Sequence, residues 1–387
     1  MAKARKIAWI LHGPYLNEGR VYKESQTLSN AGYEVTIFAT WKKGLPLIQN
    51  EGDVKIVRLA FPVLCALKVP VYAVRLFMPL YTLRLLLFEL RRYKPDVLHC
   101  MNFATLHIGY LSKKLFNIPY VYDSHDLFVG QIFMSKQSVT MRKWYMFLEK
   151  FFAKRAAVVL QADEGRSKHF QKLYGITPKV ILNKALVPTS SKKVLSEDDY
   201  PMLKTSKYKL VSVGAIIPQK GIKQLVEAVA GMNNVRIFIL GSPIAKWGYD
   251  LLERYKDQLS WIPAVAPGDV TSALTVFDLG VSFIENACLS WYLCTPTKMW
   301  ELIMSGTPQI ASDFPDIRKA IIENEVGPVG RVVDPADVGE IRRNIQEMLD
   351  NPDEMEMYRK NCLKLRQTCG WDTEAGKLIE IYKTIFK

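Results

Sequence analysis

The first half of the chain alternates short apolar runs with segments whose apolar residues recur at helical spacing. The apolar runs are RKIAWIL, EVTIFAT, DVKIVRLA, DVLHC, PYVYD, AVVLQA and KVIL. Helical spacing is found over about 20–31, 104–115, 140–155 and 163–174. Continuous apolar runs are typical of strands buried on both faces, and their alternation with helices predicts a parallel, doubly wound α/β sheet.

This pattern lapses between about residues 183 and 207, where polar residues and prolines predominate, as in a linker. The alternation then resumes with KLVSVG and VRIFILG and continues through QIAS and GRVV to two C-terminal helices. A chain of 387 residues is long enough for two domains. We therefore predict two Rossmann-like domains, at residues 1–190 and 205–370, followed by a last helix at 371–387.

The stretch 278–313 predicts strand, loop, helix, turn and strand in succession. Thr295 and Pro296 indicate a helix cap followed by proline at the first helical position, and Gly306 ends the helix. In open α/β sheets, ligands bind at the carboxyl ends of the strands. The start of this helix is therefore the first candidate for a ligand site, and a second domain would place that site in a cleft between the two.

Two charged residues distinguish this helix start. Lys298 places an ammonium group at its N-terminal end, and Glu301 places a carboxylate one turn later. Together with the backbone N–H groups at 297–299, the lysine predicts a site for an anion, because helix N-termini carry partial positive charge. The alternative is a solvated lysine paired with an exposed helix glutamate.

Charge is spread unevenly over the two halves. Residues 1–190 contain 28 Lys and Arg against 12 Asp and Glu, a net charge of +16, whereas the rest of the chain has a net charge of −2. This asymmetry predicts an acidic partner for the first half. No nucleic-acid-binding motif is recognisable, so we favour an anionic membrane surface over a nucleic acid.

The segment 64–93 is the most unusual part of the first half. Large apolar residues dominate it, and five basic residues are dispersed among them: Lys68, Arg75, Arg84, Arg91 and Arg92. Such a segment is either a basic amphipathic helix lying on a membrane or a helix buried against the sheet with arginines at its outer edge. Pro79 is expected to kink or split it.

The absence of targeting signals and the spacing of the cysteines indicate where in the cell the protein is expected. The N-terminus lacks the apolar run of a secretory signal, and no stretch has the roughly 18 apolar residues of a membrane span. The six cysteines show neither CxxC nor metal-ligand spacing, which indicates free thiols. We expect a cytoplasmic protein, peripheral on the inner face of the cell membrane.

Five segments in order resemble a known family. They are EGRVYKESQTLSNAGYEVTIFAT, RRYKPDVLHCMNFAT, VYDSHDLF, LVSVGAIIPQKGIKQLVEAVAGM and TPTKMWELIMSGTPQIASD. The chain thereby resembles the retaining glycosyltransferases of family 4, which have the GT-B fold of two Rossmann-like domains facing across a cleft. The resemblance implies transfer of a sugar from a UDP- or GDP-sugar to a glycan or lipid-linked acceptor with retention, as in cell-envelope polysaccharide biosynthesis. It also implies a C-terminal helix that crosses back to the first domain.

In this resemblance the second domain binds the donor, which is a substrate, so no cofactor is expected. Glu301 resembles the glutamate that accepts hydrogen bonds from both ribose hydroxyls, and Lys298 and Thr297 lie where the diphosphate binds. Lys220 in PQKG resembles the phosphate lysine that stabilises the leaving nucleotide. Gly214 ends the strand before it.

The sequence departs from the family at two places. The family commonly has arginine just after the strand-ending glycine, where this chain has Ala215. Glu285 matches the first glutamate of a Glu-x7-Glu pair, yet it precedes Glu301 by 16 positions. Glu285 is a candidate to touch the donor sugar, the alternative being a solvated carboxylate. Trp291 and Tyr292 either line the sugar pocket or pack in the core.

Candidates in the first domain follow its strands. His125 resembles the histidine near the donor's reacting carbon, and the alternative is a histidine bonded to Asp123 or Asp126. His99 and Asn102, at the end of the adjacent strand, are candidates for binding the acceptor.

Two more candidates lie near the N-terminus. Gly13 resembles the glycine whose backbone approaches the diphosphate, where a side chain would obstruct. Arg20 is a candidate for acceptor binding, the alternative being a surface ion pair with Glu24. No Asp-x-Asp has the spacing of a sugar-nucleotide metal site, so we expect metal independence.

No side chain is an obvious nucleophile. The resemblance implies attack by the acceptor hydroxyl from the face that the nucleotide leaves, with a donor phosphate oxygen taking the proton. Two other functions stay open: a nucleotide-sugar 2-epimerase with the same fold, and a degenerate nucleotide-sugar-binding protein without activity.

Overall fold

The chain forms two compact α/β units. The computed structural model describes residues 4–16, 18–60, 78–188, 194–232, 234–242 and 246–387. The first unit comprises residues 1–181 and 375–387, and the second comprises residues 182–374. The chain therefore passes between the units twice, once at the first boundary and again within its last helix.

The first unit is built on an eight-stranded sheet with the order β3-β4-β2-β1-β5-β6-β7-β8. All neighbouring strands are parallel except β3 and β4, which pair antiparallel. The strands are β1 (Lys6–Ile10), β2 (Glu34–Thr40), β3 (Ile48–Glu51), β4 (Val54–Leu59), β5 (Val97–Met101), β6 (Tyr120–Asp123), β7 (Val158–Gln161) and β8 (Lys179–Val180).

Helices cover this sheet. They are α1 (Gly19–Asn30), α2 (Met78–Arg84), α3 (Leu90–Tyr93), α4 (Asn102–Phe116), α5 (Ile132–Ser135), α6 (Val139–Ala153) and α7 (Glu164–Tyr174). A π-helical turn, Leu85–Glu89, connects α2 to α3. The strands β1, β5 and β6 are buried almost throughout, as their continuous apolar runs predict.

The second unit has a six-stranded, wholly parallel sheet with the order β11-β10-β9-β12-β13-β14. Its strands are β9 (Tyr208–Val213), β10 (Val235–Leu240), β11 (Leu259–Ile262), β12 (Leu279–Ser282), β13 (Gln309–Ser312) and β14 (Gly330–Val333). Its helices are α8 (Met202–Thr205), α9 (Ile222–Val229), α10 (Lys246–Arg254), α11 (Val270–Leu274), α12 (Leu289–Tyr292), α13 (Thr297–Ser305), α14 (Pro315–Ile321), α15 (Val338–Asp350) and α16 (Pro352–Thr368).

The last helix, α17 (Trp371–Ile385), belongs to both units. Its first turn lies in the second unit, and its remainder, from Ala375, lies in the first. In the first unit its Tyr382 is fully buried against the sheet. Residues at its start are buried in the second unit, among them Trp371 and Glu374.

Three local predictions were wrong. Strand β3 was missed because its residues IQNE are polar and partly exposed, which suits an antiparallel edge. Pro296 has extended backbone angles and is itself the cap residue, so α13 begins one residue later than predicted. The C-terminal region contains three described helices, α15 to α17, instead of two.

The apolar segment 64–93 lies partly outside the described residues, which omit 61–77. The remainder forms α2, the π-helical turn and α3, and Pro79 occupies the first turn of α2. One face is buried through Tyr81, Leu85, Leu86 and Leu90. The opposite face is apolar and exposed, so the buried-helix alternative describes only one face of this segment.

The described part of the chain lacks a helix with the length and apolar character needed to cross a bilayer. Its five described cysteines are free thiols, as their spacing predicts.

Candidate functional site

Loops of the second unit meet where the direction of the sheet order reverses. From β9 the chain steps to β10 and β11 on one side, and then returns to place β12 on the other side of β9. The loops that follow β9 and β12 therefore leave the sheet side by side at their carboxyl ends. In open α/β sheets this reversal point is where ligands bind.

Glycine is required in the loop after β9 for two reasons. Gly214 has φ +104, a backbone conformation that side chains disfavour. A Cβ atom on Gly241, after the neighbouring strand, would lie 1.9 Å from the Gly214 carbonyl oxygen. The two glycines thus let the ends of β9 and β10 approach closely and turn the chain towards Lys220.

Lys220 ends a short 3-10 turn that leads into α9. Its ammonium group lies 6.0 Å from the centroid of the Trp291 ring, on the loop after β12. Trp291 and Tyr292 also pack against the apolar cluster beneath α13. Both residues therefore pack in the core, and Trp291 additionally lies beside Lys220, the candidate phosphate lysine.

Glu285 is held by the neighbouring loop and helix. Its backbone N–H donates to the Gln219 carbonyl oxygen at 3.1 Å, and its Oε1 accepts from Gln224 Nε2 at 2.9 Å. The side chain is half-buried, so the solvated alternative does not describe it. These bonds tie the two ligand-side loops together.

Lys298 is buried, contrary to the alternative of a solvated lysine. It lies in the first turn of α13, and its Nζ donates to the Phe283 carbonyl oxygen at 2.7 Å. Burial, followed by repulsion from the nearby Lys220, holds the pKa of Lys298 well below its usual value. Glu301 acts in the opposite direction without restoring it.

The start of α13 offers fewer backbone donors than predicted. The Met299 N–H already donates to the Pro296 carbonyl oxygen at 3.0 Å. Thr297 accepts a hydrogen bond from Asn183 Nδ2 at 2.6 Å through its hydroxyl oxygen. Glu301 is half-buried one turn further on. Lys298 interacts electrostatically with both Lys220 and Glu301, so the second unit brings these three residues near one another.

In the first unit, the loop after β1 is fixed from beneath by a buried arginine. Arg58 donates to the carbonyl oxygens of Pro14 at 2.9 Å and Tyr15 at 3.4 Å. A Cβ atom on Gly13 would meet no atom within 4 Å, so packing does not require glycine there. Space around Gly13 is open, as a backbone approach to a ligand needs.

Asn102 and His125 lie at the ends of neighbouring strands. Asn102 begins α4 with φ +61 and is exposed. His125 follows β6 and is half-buried, and burial lowers the pKa of its imidazole. Arg166 anchors this loop by donating to the His125 carbonyl oxygen at 2.8 Å and by pairing with Asp126 at 3.2 Å.

Arg20 and His99 belong to a buried polar network instead of an open surface. Arg20 donates from Nε to Asp123 Oδ2 at 2.9 Å and pairs with Glu24 at 2.9 Å. His99 is fully buried, with its Nδ1 2.6 Å from the Tyr382 hydroxyl. The ion pair between Arg20 and Glu24 thus exists, but inside the unit and not on its surface. No face of His99 is open to an acceptor in this conformation.

Burial and the arginine set the charges of this network. Burial raises the pKa of Glu24 to about 8, although Arg20 opposes the shift. For Asp123, burial alone would raise the pKa, but the charge of Arg20 and the hydrogen bonds and charge interactions with His99 and Arg20 together hold it below the usual range. Burial lowers the pKa of His99. The network therefore contains one cation, one carboxylate and a carboxyl group that is largely protonated at neutral pH.

The network also contains a potential metal-ligand set. One ligand atom each from Glu24, His99 and Asp123 lies within 4.8 Å of the others. Arg20 already pairs with both acidic side chains, and its fixed positive charge would repel a cation. We therefore interpret this cluster as a buried ion-pair network.

Sequence reasoning missed the residues that position the candidates: Arg58, Gln224, Asn183 and Arg166. Each contacts a residue 41 or more positions away in the chain. Local patterns carry no signal for such pairs, because buried arginines and asparagines are recognisable only through their partners.

Two doubly wound α/β units in one chain are the architecture of the GT-B class of glycosyltransferases. Residues 18–183 match the family model Glycosyltransferase Family 4, and residues 199–364 match Glycosyl transferases group 1. The two matches together cover well over half of the chain, which belongs to the GT-B glycosyltransferases of group 1. A comparison with curated protein sequences gives no match.

Solved structures share this fold over their whole length. Sucrose-phosphate synthase from Thermosynechococcus elongatus is 18% identical with a TM-score of 0.78, covering 99% of each chain. Anabaena HepE in complex with UDP is 14% identical with a TM-score of 0.68, covering 98% of this chain and 100% of its own. The catalytic domain of starch synthase IV from Arabidopsis thaliana, bound to ADP and acarbose, is 11% identical with a TM-score of 0.71, covering 99% of each.

Proposed function

We propose that this glycosyltransferase moves a hexose from a UDP- or GDP-sugar to a glycan or lipid-linked acceptor, with retention of anomeric configuration. The observation that carries the proposal is the convergence of Lys220 and the buried Lys298 at the start of α13, with Glu301 one turn later. Complexes of HepE with UDP and UDP-glucose support a nucleotide-sugar donor.

A diphosphate would relieve the electrostatic conflict between the two lysines. A buried ammonium beside a second cation is unfavourable until an anion binds between them. An ammonium has three donors, and the Phe283 carbonyl oxygen uses one of those on Lys298. Charge-assisted bonds from both lysines would then hold the diphosphate.

Glu301 would bind the ribose of the nucleotide. A carboxylate accepts hydrogen bonds only, and its two oxygens can take both ribose hydroxyl groups at once. The half-buried position of Glu301 strengthens such bonds relative to those on an open surface. Neither interaction distinguishes uridine from guanosine.

Glu285 and His125 are the candidates nearest the sugar. Gln224 orients the Glu285 carboxylate, which compensates for the longer loop between Glu285 and Glu301. The neutral His125 imidazole can donate or accept a hydrogen bond at the sugar. Both roles rest on the family resemblance and on these side chains being only half-buried.

The proposed reaction breaks the bond between the anomeric carbon and the diphosphate oxygen. The acceptor hydroxyl attacks from the face that the diphosphate leaves, and a phosphate oxygen takes its proton. Lys220 and Lys298 stabilise the negative charge that develops on the leaving group, while the site holds both substrates in position. We propose that neither a metal ion nor a cofactor takes part.

Asn102 is the first-unit candidate that remains open to an acceptor, because Arg20 and His99 are buried. Its left-handed backbone costs free energy that a functional position can justify. The positive charge of residues 1–190 supports peripheral binding at an anionic membrane, where a lipid-linked acceptor would be found.

Glu301→Ala tests the donor site. We expect UDP affinity to fall at least about tenfold, because two charge-assisted hydrogen bonds are removed. Titration calorimetry measures the affinity, and thermal unfolding checks that the fold survives. Glu253→Ala, an exposed glutamate on α10, is the matched control and should bind UDP as wild type does. Unchanged affinity in Glu301→Ala would remove the central residue of the proposal.

Incubation with UDP- and GDP-sugars separates the competing functions. Slow release of the free sugar supports a transferase, because such an enzyme slowly transfers its donor sugar to water when no acceptor is present. A changed sugar still attached to its nucleotide would instead indicate an epimerase. Binding without turnover would indicate a degenerate protein, which the alanine at position 215 favours. Loss of turnover with a chelator would contradict metal independence.

A further inference from the structure

The helix α6 carries large apolar side chains on its exposed face. Trp144 is 53% exposed and Phe147 is 57% exposed, and their rings stack with centroids 5.7 Å apart. Val139 and Met141 extend the exposed apolar surface towards the start of the helix. Contiguous exposed apolar residues of this size indicate a surface that contacts another partner.

Basic side chains lie along one edge of this apolar strip. Lys143 is one helical turn before Phe147, and Lys150 and Lys154 continue the same edge towards the end of the helix. The Arg155 guanidinium stacks over the Phe151 ring at 3.7 Å. The acidic residue of the helix, Glu149, is buried and bonds to Tyr122 and Tyr174. The exposed face therefore combines aromatic and cationic groups.

A second apolar patch lies in the same layer of helices. Leu80, Leu83, Leu87 and Phe88, on α2 and the π-helical turn, are each 40% exposed or more. Leu80, Leu83 and Phe88 line a shallow depression of about 510 Å³, together with Arg84 and Glu89.

Helix α4 connects the two patches. His107 on α4 lies 2.7 Å from the Thr82 hydroxyl, and the Tyr110 ring lies 5.3 Å from that of Phe151. The crossovers from β4 through β7 all step the same way along the sheet, so right-handed connections put these helices on one face. The patches of α2 and α6 thus flank α4 on one side of the first unit.

The charge of this layer identifies its partner. Residues 78–116 and 136–156 contain twelve Lys and Arg against three Asp and Glu. Tryptophan and phenylalanine on a helix face, edged by lysines that can extend to lipid headgroups, match the chemistry of an anionic bilayer surface. We propose that the exposed face of α6, together with the patch on α2 and the π-helical turn, is the surface by which the protein binds an anionic membrane.

This inference rests on the proposed membrane partner. It adds the exposed face of α6 to the segment 64–93, which the sequence alone already indicated as a candidate membrane-binding helix. In this orientation Trp144 and Phe147 insert at the level of the headgroups. The lysines and arginines contact lipid phosphates and anionic headgroups around them.

Vesicle flotation of the full chain tests the surface. Wild type should bind vesicles that contain phosphatidylglycerol at low salt, should bind phosphatidylcholine vesicles weakly, and should be released at high salt. The double variant Trp144→Ala/Phe147→Ala should bind about tenfold more weakly, because apolar area inserted into the bilayer is lost. Tyr249→Ala removes an equally exposed aromatic from the second unit and should bind as wild type does.

Two results would overturn the proposal. One is undiminished binding of the double variant to phosphatidylglycerol vesicles. The other is a dimer of wild type in solution that the double variant dissociates, which would assign the surface to self-association. Brominated lipids give a direct readout: they should quench less tryptophan fluorescence in Trp144→Phe than in wild type.

Hydrolysis of nucleotide sugars, measured without vesicles in the same preparations, separates this inference from the proposed reaction. The double variant should keep the wild-type rate, because its substitutions lie far from the donor residues in the sequence and in another unit. Vesicle binding without any hydrolysis would contradict the reaction and leave the membrane surface supported.

Discussion

The two units each bury a group of charged side chains, and the two groups differ in how their charges balance. In the first unit Arg20 pairs with Asp123 and Glu24, both fully buried. In the second unit the buried Lys298 lies close enough to Lys220 for repulsion to lower its pKa. The first group is electrostatically satisfied within the protein, whereas the second gains from an added anion.

Under the proposed function, this difference makes Arg20 a structural residue and Lys298 a donor-binding residue, although both were site candidates from the sequence. A buried cation that is balanced by a carboxylate contributes to the folded state, and its removal leaves that carboxylate unbalanced. A buried cation opposed by a second cation costs stability and is retained for function. Removing Arg20 should therefore lower the stability of the protein, whereas removing Lys298 should raise its stability and weaken donor binding.

Arg20→Met should give the largest change in stability. Removal of the guanidinium leaves the Asp123 carboxylate buried without its cation, which should cost about 3–5 kcal/mol in the free energy of unfolding. Hydrogen exchange of peptides from β5 and β6 measures the loss locally, within the first unit. Arg5→Met, which breaks an exposed pair with Asp96, is the matched control and should change little. A stable Arg20→Met protein would show that the network is not structural.

Lys298→Met should act in the opposite direction on stability while it weakens donor binding. Methionine fills a similar volume without burying a charge, so the free energy of unfolding should rise by about 1 kcal/mol. Loss of a charge-assisted bond should weaken UDP binding by about 10- to 100-fold. Thermal unfolding and calorimetry measure the two effects. A Lys298→Met protein that loses stability would instead make the lysine structural.

Proton uptake sharpens the same contrast. Because burial and then Lys220 lower the pKa of Lys298 in the unliganded protein, a bound diphosphate should raise that pKa, so proton uptake on UDP binding should grow as the pH is raised towards the pKa of the unliganded lysine. The calorimetric enthalpy of UDP binding should then vary with the ionisation enthalpy of the buffer. In Lys298→Met this variation should shrink, and an unchanged slope would assign the proton to another group.

Glu24→Gln should have the smallest effect, and it should depend on pH. The folded pKa of Glu24, about 8, lies above its unfolded value, so its contribution to stability is present below about pH 4.5 and is lost as pH rises to about 8. The buried histidines contribute in the opposite direction but are common to both proteins. Wild type should therefore lose stability relative to Glu24→Gln across this interval, as urea unfolding at several pH values would measure. If the stabilities of wild type and Glu24→Gln changed with pH in parallel, the pKa of Glu24 would not be raised in the folded protein.

Much of the fold could be predicted because its signals are local. Buried parallel strands such as β1 and β5 appear as continuous apolar runs, and helices such as α1 and α13 begin or end at proline or glycine. The edge strand β3 was not predicted because its side chains are polar and alternate only between exposed and half-buried. Its pairing with β4 depends on the neighbouring strand more than on its own residues.

The candidate site divides in the same way. Lys298 and Glu301 could be found from their spacing on one helix near a strand end. The burial of Lys298, its proximity to Lys220 and the bond from Gln224 to Glu285 arise from segments that fold together from distant parts of the chain. The burial of Arg20 could not be predicted for the same reason, since its partner Asp123 lies 103 positions away.

The course of α17 has a consequence for how the chain is made. Tyr382 closes over His99 in the first unit, yet the ribosome adds it only after the whole second unit has been synthesised. His99, which stacks on Trp9, thus remains without its partner Tyr382 through most of translation. A vector that expresses the first unit alone would need residues 375–387 joined to it.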